Sequence, residues 1–268
     1  MPEDASAIPQ MHATDGRKPV LSPTRITTYL ECALKYRFIY VDRVGRYFLR
    51  ARSYHSFGNT LHQVLQSFHA GGGKQSVEEM TRELAHRWIS AGYVSRAQEQ
   101  QHRELGQQIL TTYHQQQQER DGTLVRTIAT EKTITCDMGP FKLLGRVDRI
   151  DEHPDGTLEI IDYKSGRLET SPEQVAGDLA MNIYQLILSR LYPDRAILGT
   201  IYCLRSGVQA SASQTAEERE AFAQDILALG QEILSRDYST VFPIPLAICP
   251  DCDFLPICQQ YWEEHGRG

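Results

Sequence analysis

The feature that most constrains this chain is a short turn, Pro154-Asp155-Gly156, between two strand-like segments, Gly145–Asp151 (GRVDRID) and Ile160–Lys164 (IIDYK). Three residues with glycine at the left-handed position make a tight hairpin loop, so the segments are expected to pair antiparallel. If His153 pairs with Thr157, Asp148 falls directly opposite Asp162. Side chains alternate along a strand, so Asp162 and Lys164 share a face. A slip of one residue would send one partner to the other face. The expected result is two carboxylates and one ammonium on one patch of sheet.

Two carboxylates a few ångströms apart repel each other, and one takes up a proton unless a cation lies between them. A hard divalent ion such as Mg²⁺ suits such a pair, because it needs few protein carboxylates and leaves positions for water and substrate phosphate. With Lys164 alongside to orient water and stabilise charge on phosphate, the set is sufficient for phosphodiester hydrolysis. The alternative is an amphipathic hairpin with a charged outer face. The apolar run Leu158, Ile160, Ile161 leading into Asp162 favours a buried strand ending in a site.

The rest of the pattern is mixed. Ser22-Pro23-Thr24 reads as a helix start, with apolar residues at helical spacing to about Asp42. Further helices are expected over 58–69, 76–91 and 96–120, the last carrying Gln115–Gln118 as a solvated face. After the Asp121-Gly122 turn, β-branched residues mark strands at 124–136, 141–152 and 157–163, followed by a helix at 174–192, a strand at 197–204 and a helix at 216–236. Residues 241–258 read as irregular. The order predicts an α/β (or α+β) fold with a small mixed sheet flanked by helices, a helical insertion at about 74–120, and one domain over 21–265 behind a disordered leader, 1–20.

That leader has Pro, Asp and Lys where an export signal needs an apolar core, and no apolar run reaches the roughly 20 residues that cross a bilayer. Cytoplasmic location, reduced thiols and no membrane partner are expected. The net charge of -6 argues against a surface coated with nucleic acid but leaves room for a local basic groove. Tyr36, Arg37, Tyr40 and Arg43 are either a strand-binding track or the outer face of the first helix. The glycines at 71–73 do not make a P-loop.

Six cysteines include the C-x2-C-x5-C array Cys249, Cys252 and Cys258. Cys136 and Cys203 lie in expected strands, where thiols commonly pack as small hydrophobes. Cys32, in the first helix, is the remaining candidate for a fourth ligand. The residues alone indicate three or four thiolates around a metal or cluster, and zinc suits them nearly as well as a 4Fe–4S centre.

The hairpin resembles the PD-(D/E)xK nuclease superfamily, and its RecB-like branch in particular, where a G-R-hydrophobic-D-R-I-D strand precedes a hydrophobic-D-Y-K-[ST]-G strand. The resemblance covers roughly residues 21–262. It implies a restriction-endonuclease-like core, with Asp148 and Asp162 as metal ligands, the Tyr163 carbonyl as another, and Lys164 as catalytic lysine with Mg²⁺ or Mn²⁺. The family's G-x-x-x-H helix matches Gly58–His62 and implies that His62 also binds metal. Its Q-x-x-x-Y helix matches at Tyr184, assigned a catalytic role, with Ala180 in place of the glutamine and Gln185 nearby. Ser22–Cys32 is similar to the opening helix of members with an AddB-like iron–sulfur staple, including CRISPR-associated RecB-like exonucleases. On that likeness Cys32, Cys249, Cys252 and Cys258 hold a 4Fe–4S cluster. The implied activity is a stand-alone DNA exonuclease on single strands or free ends, in repair, recombination or CRISPR-related processing, beside a separate helicase, recombination or CRISPR adaptation protein. The alternative is a non-catalytic DNA-binding or assembly module on the same fold.

Overall fold

The computed structural model describes residues 18–119 and 124–265, so most of the expected leader and the Asp121-Gly122 turn lie outside the described residues. In chain order the elements are β1 (Val20–Leu21), α1 (Pro23–Glu31), α2 (Ala33–Tyr36), α3 (Gly45–Phe48), α4 (Ser53–Ala70), α5 (Val77–His86), α6 (Arg96–Glu119), β2 (Arg126–Asp137) and β3 (Lys142–Glu152). They continue with β4 (Leu158–Lys164), α7 (Pro172–Ala176), α8 (Leu179–Leu191), β5 (Ile197–Cys203), β6 (Gln209–Ala212), α9 (Ala216–Ser235) and α10 (Leu255–His265). The chain forms two compact units. One comprises the residues up to Arg50, Asp137–Leu143 and those from Gln224 onward; the other comprises Ala51–Cys136 and Leu144–Ala223.

The second unit is a mixed sheet between helices, the α/β class expected. β2 pairs with β3, β3 runs antiparallel to β4, β4 parallel to β5, and β5 antiparallel to β6. The hairpin register is the expected one: His153 donates to the Thr157 carbonyl, and the ladder runs from Glu152↔Leu158 to Arg149↔Ile161. Alternation then sorts the faces of β4. Ile161 and Tyr163 pack into a core with Phe57, Leu61 and Leu65 of α4, Met80 and Leu84 of α5, and Ile109, Leu110 and Tyr113 of α6. Each such fully buried aliphatic side chain contributes about 1.5–3 kcal/mol. On α8, Tyr184 lies against Gly145 of β3, and Met181 and Gln185 lie against Gly199 of β5.

α6 occupies the span expected of it, whereas α4 starts five residues before the expected 58 and α5 ends five residues before the expected 91. The expected 174–192 helix is two, because the chain turns at Gly177 and Asp178 caps α8 by accepting the Met181 N–H at 2.8 Å. β6 was not expected; its QASA sequence has no apolar alternation, and it forms by pairing with β5. The glutamine run is not wholly solvated, since Gln116 accepts a hydrogen bond from the Tyr202 hydroxyl.

In the first unit, β1 pairs in parallel with Lys142 and Leu143, and Lys18 reaches Asp137 at 2.7 Å, so residues 18–20 are structured rather than part of a leader. Ser22 caps α1 with Pro23 in its first turn, as expected. The helix does not run to Asp42, however. Cys32 is extended, and its sulfur caps α2 by accepting the Lys35 N–H at 3.4 Å. Tyr36 is not on an outer face either: it is 2% exposed, with its ring centroid 5.5 Å from that of Tyr238 in a stack and 5.7 Å from that of Tyr29 in an edge-on contact. Arg37 is taken up by Asp42 and the Tyr238 carbonyl. Burial of the Tyr36 ring leaves it no surface on which a base could stack. The C-terminal stretch is less irregular than expected, because Cys258 sits on α10.

The close approach of Tyr184 to Gly145 yields a test. A Cβ at residue 145 would meet the Tyr184 ring at 2.7 Å, inside any real contact. Gly145→Ala should lose about 1–3 kcal/mol of stability to overpacking, measured as a drop in the denaturation midpoint at unchanged slope.

Candidate metal centre

Where β3 and β4 stop pairing, polar groups take over. Asp148 is the first residue past the last paired residue, Arg149, and its carboxylate does what a ladder carbonyl would have done: Oδ2 accepts the Tyr163 N–H at 2.7 Å. Its other oxygen lies 3.2 Å from Nδ1 of His62, whose Nε2 is 3.0 Å from the Tyr163 carbonyl oxygen. A glycine in α4 makes this reach attainable. At Gly58 an added Cβ would lie 3.0 Å from the Ser165 hydroxyl, in the turn that follows Lys164.

Burial pushes the His62 imidazole pKa down, but the hydrogen bond and charge of Asp148, with the charges of Asp162 and Glu131, outweigh it and the net shift is upward. Acceptors on both sides of the ring favour its protonated form.

Glu131 is the residue that sequence reasoning missed. It lies in β2 at φ 47°, a left-handed conformation costly for a non-glycine residue. Its carboxylate meets Arg146 at 2.6 Å and lies 3.9 Å from His62 Nδ1. His62, Glu131 and Asp148 each offer a ligand atom, and the three atoms lie within 4.8 Å of one another. Burial first, and then the charge of Asp148, raises the Glu131 pKa. No sequence signal marks this residue. Its position follows from one backbone angle in an otherwise ordinary polar strand.

Asp162 and Lys164 complete the arrangement. Burial first, and then the neighbouring Asp148 charge, pushes the Asp162 pKa up to about 6. Its Oδ2 meets the Lys164 ammonium at 2.6 Å. Burial alone would lower the Lys164 pKa; the Asp162 charge and contact more than offset it, so the ammonium stays charged. Tyr184 faces the same cluster, its phenol pushed up by burial and then by Asp162 and Asp148. The site therefore holds three carboxylates with raised or shared charge and a histidine, beside a fixed ammonium. Oxygen-rich, largely buried donors of this kind fit a hard divalent cation better than a soft one.

The four candidate cysteines also come together, in the first unit. Cys32, Cys249, Cys252 and Cys258 line one cavity of about 320 Å³ with Leu34, Phe38, Val241 and Phe254 among its apolar walls. Burial, and then the charges of Cys252, Cys32 and Cys249, pushes the Cys258 thiol up to about 11. Cys136 and Cys203 are buried in strands, as expected.

Acidic groups around a histidine, with a lysine at the end of the same strand, define a class: phosphodiester hydrolases that work through a bound divalent metal. The family description "PD-(D/E)XK nuclease superfamily" matches residues 20–259, and the chain belongs to that superfamily. Membership implies a metal-dependent nuclease with a nucleic-acid substrate. Among solved structures the chain is similar to the crystal structure of SSO0001, with a TM-score of 0.39 and 11% identity, over 93% of this chain and 89% of that one. No curated protein matches it. Among the described residues no helix is long and apolar enough to cross a membrane.

Protons must leave Asp162, Glu131 and His62 before these groups can ligate a cation, and all three pKa values are raised. Affinity for Mn²⁺ should therefore climb as pH rises through about 6, read by calorimetric titration at pH 5.5 and 7.5. Glu131→Gln should weaken Mn²⁺ binding by at least the roughly 10- to 100-fold that loss of an outer-shell partner costs. Equal affinities for the variant and the wild type would remove Glu131 from the ligand set.

Proposed function

We propose that the chain is a RecB-like DNA nuclease that hydrolyses phosphodiester bonds at single strands or free DNA ends, acting as an exonuclease in repair, recombination or CRISPR-related processing. The observation that carries this reading is the Asp148–Tyr163–His62 contact, which brings a carboxylate, an imidazole and a peptide carbonyl together on the strand that ends in Lys164. His62, Asp148, Asp162 and the Tyr163 carbonyl are the residues that would hold Mg²⁺ or Mn²⁺, with Glu131 beside them. The bound cation supplies Lewis-acid polarisation and charge neutralisation at the phosphoryl group.

The remaining work belongs to the side chains. A charged Lys164 ammonium, tethered by Asp162, is placed to orient the attacking water and to stabilise charge on the phosphate as the bond breaks. Deprotonated Asp162 keeps that ammonium in position. Tyr184, whose phenol stays protonated at neutral pH, is a hydrogen-bond donor beside the carboxylates. Ala180 stands where the family glutamine is expected, leaving Tyr184 as the motif's side chain in substrate handling.

The cysteine cavity is proposed to hold a 4Fe–4S cluster on Cys32, Cys249, Cys252 and Cys258. The reading is supported by the four sulfurs lining one cavity and by the charges of Cys252, Cys32 and Cys249 acting on the Cys258 thiol. Such a bond network ties Cys32 to residues more than two hundred positions away and removes much unfolded-state entropy. A cytoplasmic setting, with DNA as substrate and a helicase, recombination or CRISPR adaptation protein as partner, fits a nuclease without a P-loop.

Asp162→Ala and Lys164→Ala should each lower cleavage of end-labelled DNA by about 100-fold or more while DNA binding is largely kept. Cleavage at the wild-type rate by either variant would refute the assigned site. Tight binding by the wild type with no cleavage on any strand would favour a non-catalytic module. Anaerobically purified protein should be brown, with about four iron and four sulfide per chain; a colourless protein with one zinc would replace the cluster by a zinc site.

A further inference from the structure

β4 and β5 are parallel neighbours, so Lys164 and Cys203 end them at the same edge of the sheet. Ligands of open α/β sheets gather beyond the carboxyl ends of parallel strands. The segment after each strand carries an arginine there. Arg167 follows Lys164 by three residues and is exposed; Arg205 follows Cys203 by two and is half-buried. The Leu204 N–H donates to the Lys164 carbonyl at 2.9 Å, and the Arg205 Nε donates to the Ser165 carbonyl at 2.8 Å. Its guanidinium lies 5.7 Å from the centre of the Phe57 ring on α4, the helix that carries His62. Arg205 is thus fixed beside the turn that follows Lys164 by one of its five N–H donors.

Among the described residues neither guanidinium makes an ion pair with a carboxylate. The Arg205 pKa is lowered by burial and then by the charge of Arg167. Two positive side chains follow adjacent parallel strands at the same end of the sheet, and the half-buried one is partly stripped of water. An arrangement of that kind is relieved by an anion, and the fork of a guanidinium matches a phosphate.

We propose that Arg167 and Arg205 form a phosphate-binding subsite that grips the nucleic-acid strand next to the scissile phosphodiester. The inference rests on the nuclease reading above and adds to it the residues that seat the strand. Arg205 holds the strand in register with Lys164, because its anchor is the carbonyl of the very next residue. Arg167 closes the same phosphate from the exposed side.

The test is a fluorescence-anisotropy titration of a labelled single-stranded oligonucleotide in Ca²⁺ at several salt concentrations, with wild type, R167Q, R205Q and R205K. Each glutamine variant should lose on the order of tenfold in affinity. The slope of log K against log salt should become shallower by about 0.7 for each phosphate that is no longer neutralised. R205K should keep the wild-type slope but recover the affinity only in part, since it retains charge without the fork. Mn²⁺ titration of the same proteins reports whether the neighbouring centre is intact; were R205Q to lose it through misfolding, R167Q at its exposed position decides. Oligonucleotide affinity and slope equal to wild type in a glutamine variant that binds Mn²⁺ would overturn the subsite alone. A wild-type protein that binds Mn²⁺ but no oligonucleotide would overturn the subsite and the nuclease reading together.

Discussion

The backbone of Tyr163 is the hinge of this structure. Its N–H is held by Asp148 and its carbonyl by His62, so two elements far apart in sequence meet on the two successive peptide groups that flank its Cα. The Tyr163 side chain is fixed as well. The Tyr163 hydroxyl accepts from Arg149 at 3.1 Å and bonds the Tyr113 hydroxyl at 2.7 Å, while Arg149 pairs with the almost wholly buried Asp151 and also reaches the His69 ring. Thr127 donates a further bond to Asp151. A buried pair of this kind adds little net stability over apolar packing, and removing one partner costs about 3–5 kcal/mol. Its value is positional: one residue of the hairpin fixes the side chain of Tyr163 while the next fixes its backbone.

Electrostatics separates this arrangement from an ordinary polar sheet edge. Burial raises Asp162 and Glu131, and each is raised further by the charge of Asp148. The fold holds acidic groups where they oppose one another, and His62 and the Lys164 ammonium relieve them only in part. Free energy left unspent in this way is available to bind a cation. The same logic, with the sign reversed, applies to the arginines beyond β4 and β5.

Much of this was legible because it depended on local rules. A three-residue turn with glycine sets the register of the hairpin, and the register sets the face on which Asp162 and Lys164 emerge. Gly58 and His62 stand one helical turn apart, so a helix motif placed them together. What escaped depended on departures from regular backbone or on tertiary packing. Glu131 points into the site because one strand residue takes a left-handed φ, and Cys32 breaks a helix whose apolar spacing continues through it. Tyr36 has the composition of a surface aromatic but is covered by Tyr238, 202 residues later, a contact that periodicity cannot foresee. β6 exists because β5 offers an edge, not because its own residues favour a strand.

A single divalent-cation site where His62, Asp148 and the Tyr163 carbonyl converge can be tested by anomalous diffraction from crystals grown with Mn²⁺. A single strong peak is expected at about 2.0–2.3 Å from those groups, with a carboxylate of Asp162 or Glu131 completing the protein ligands. Strong anomalous density elsewhere on the molecule, with the His62 ring still bonded to Asp148 and the Tyr163 carbonyl, would contradict it.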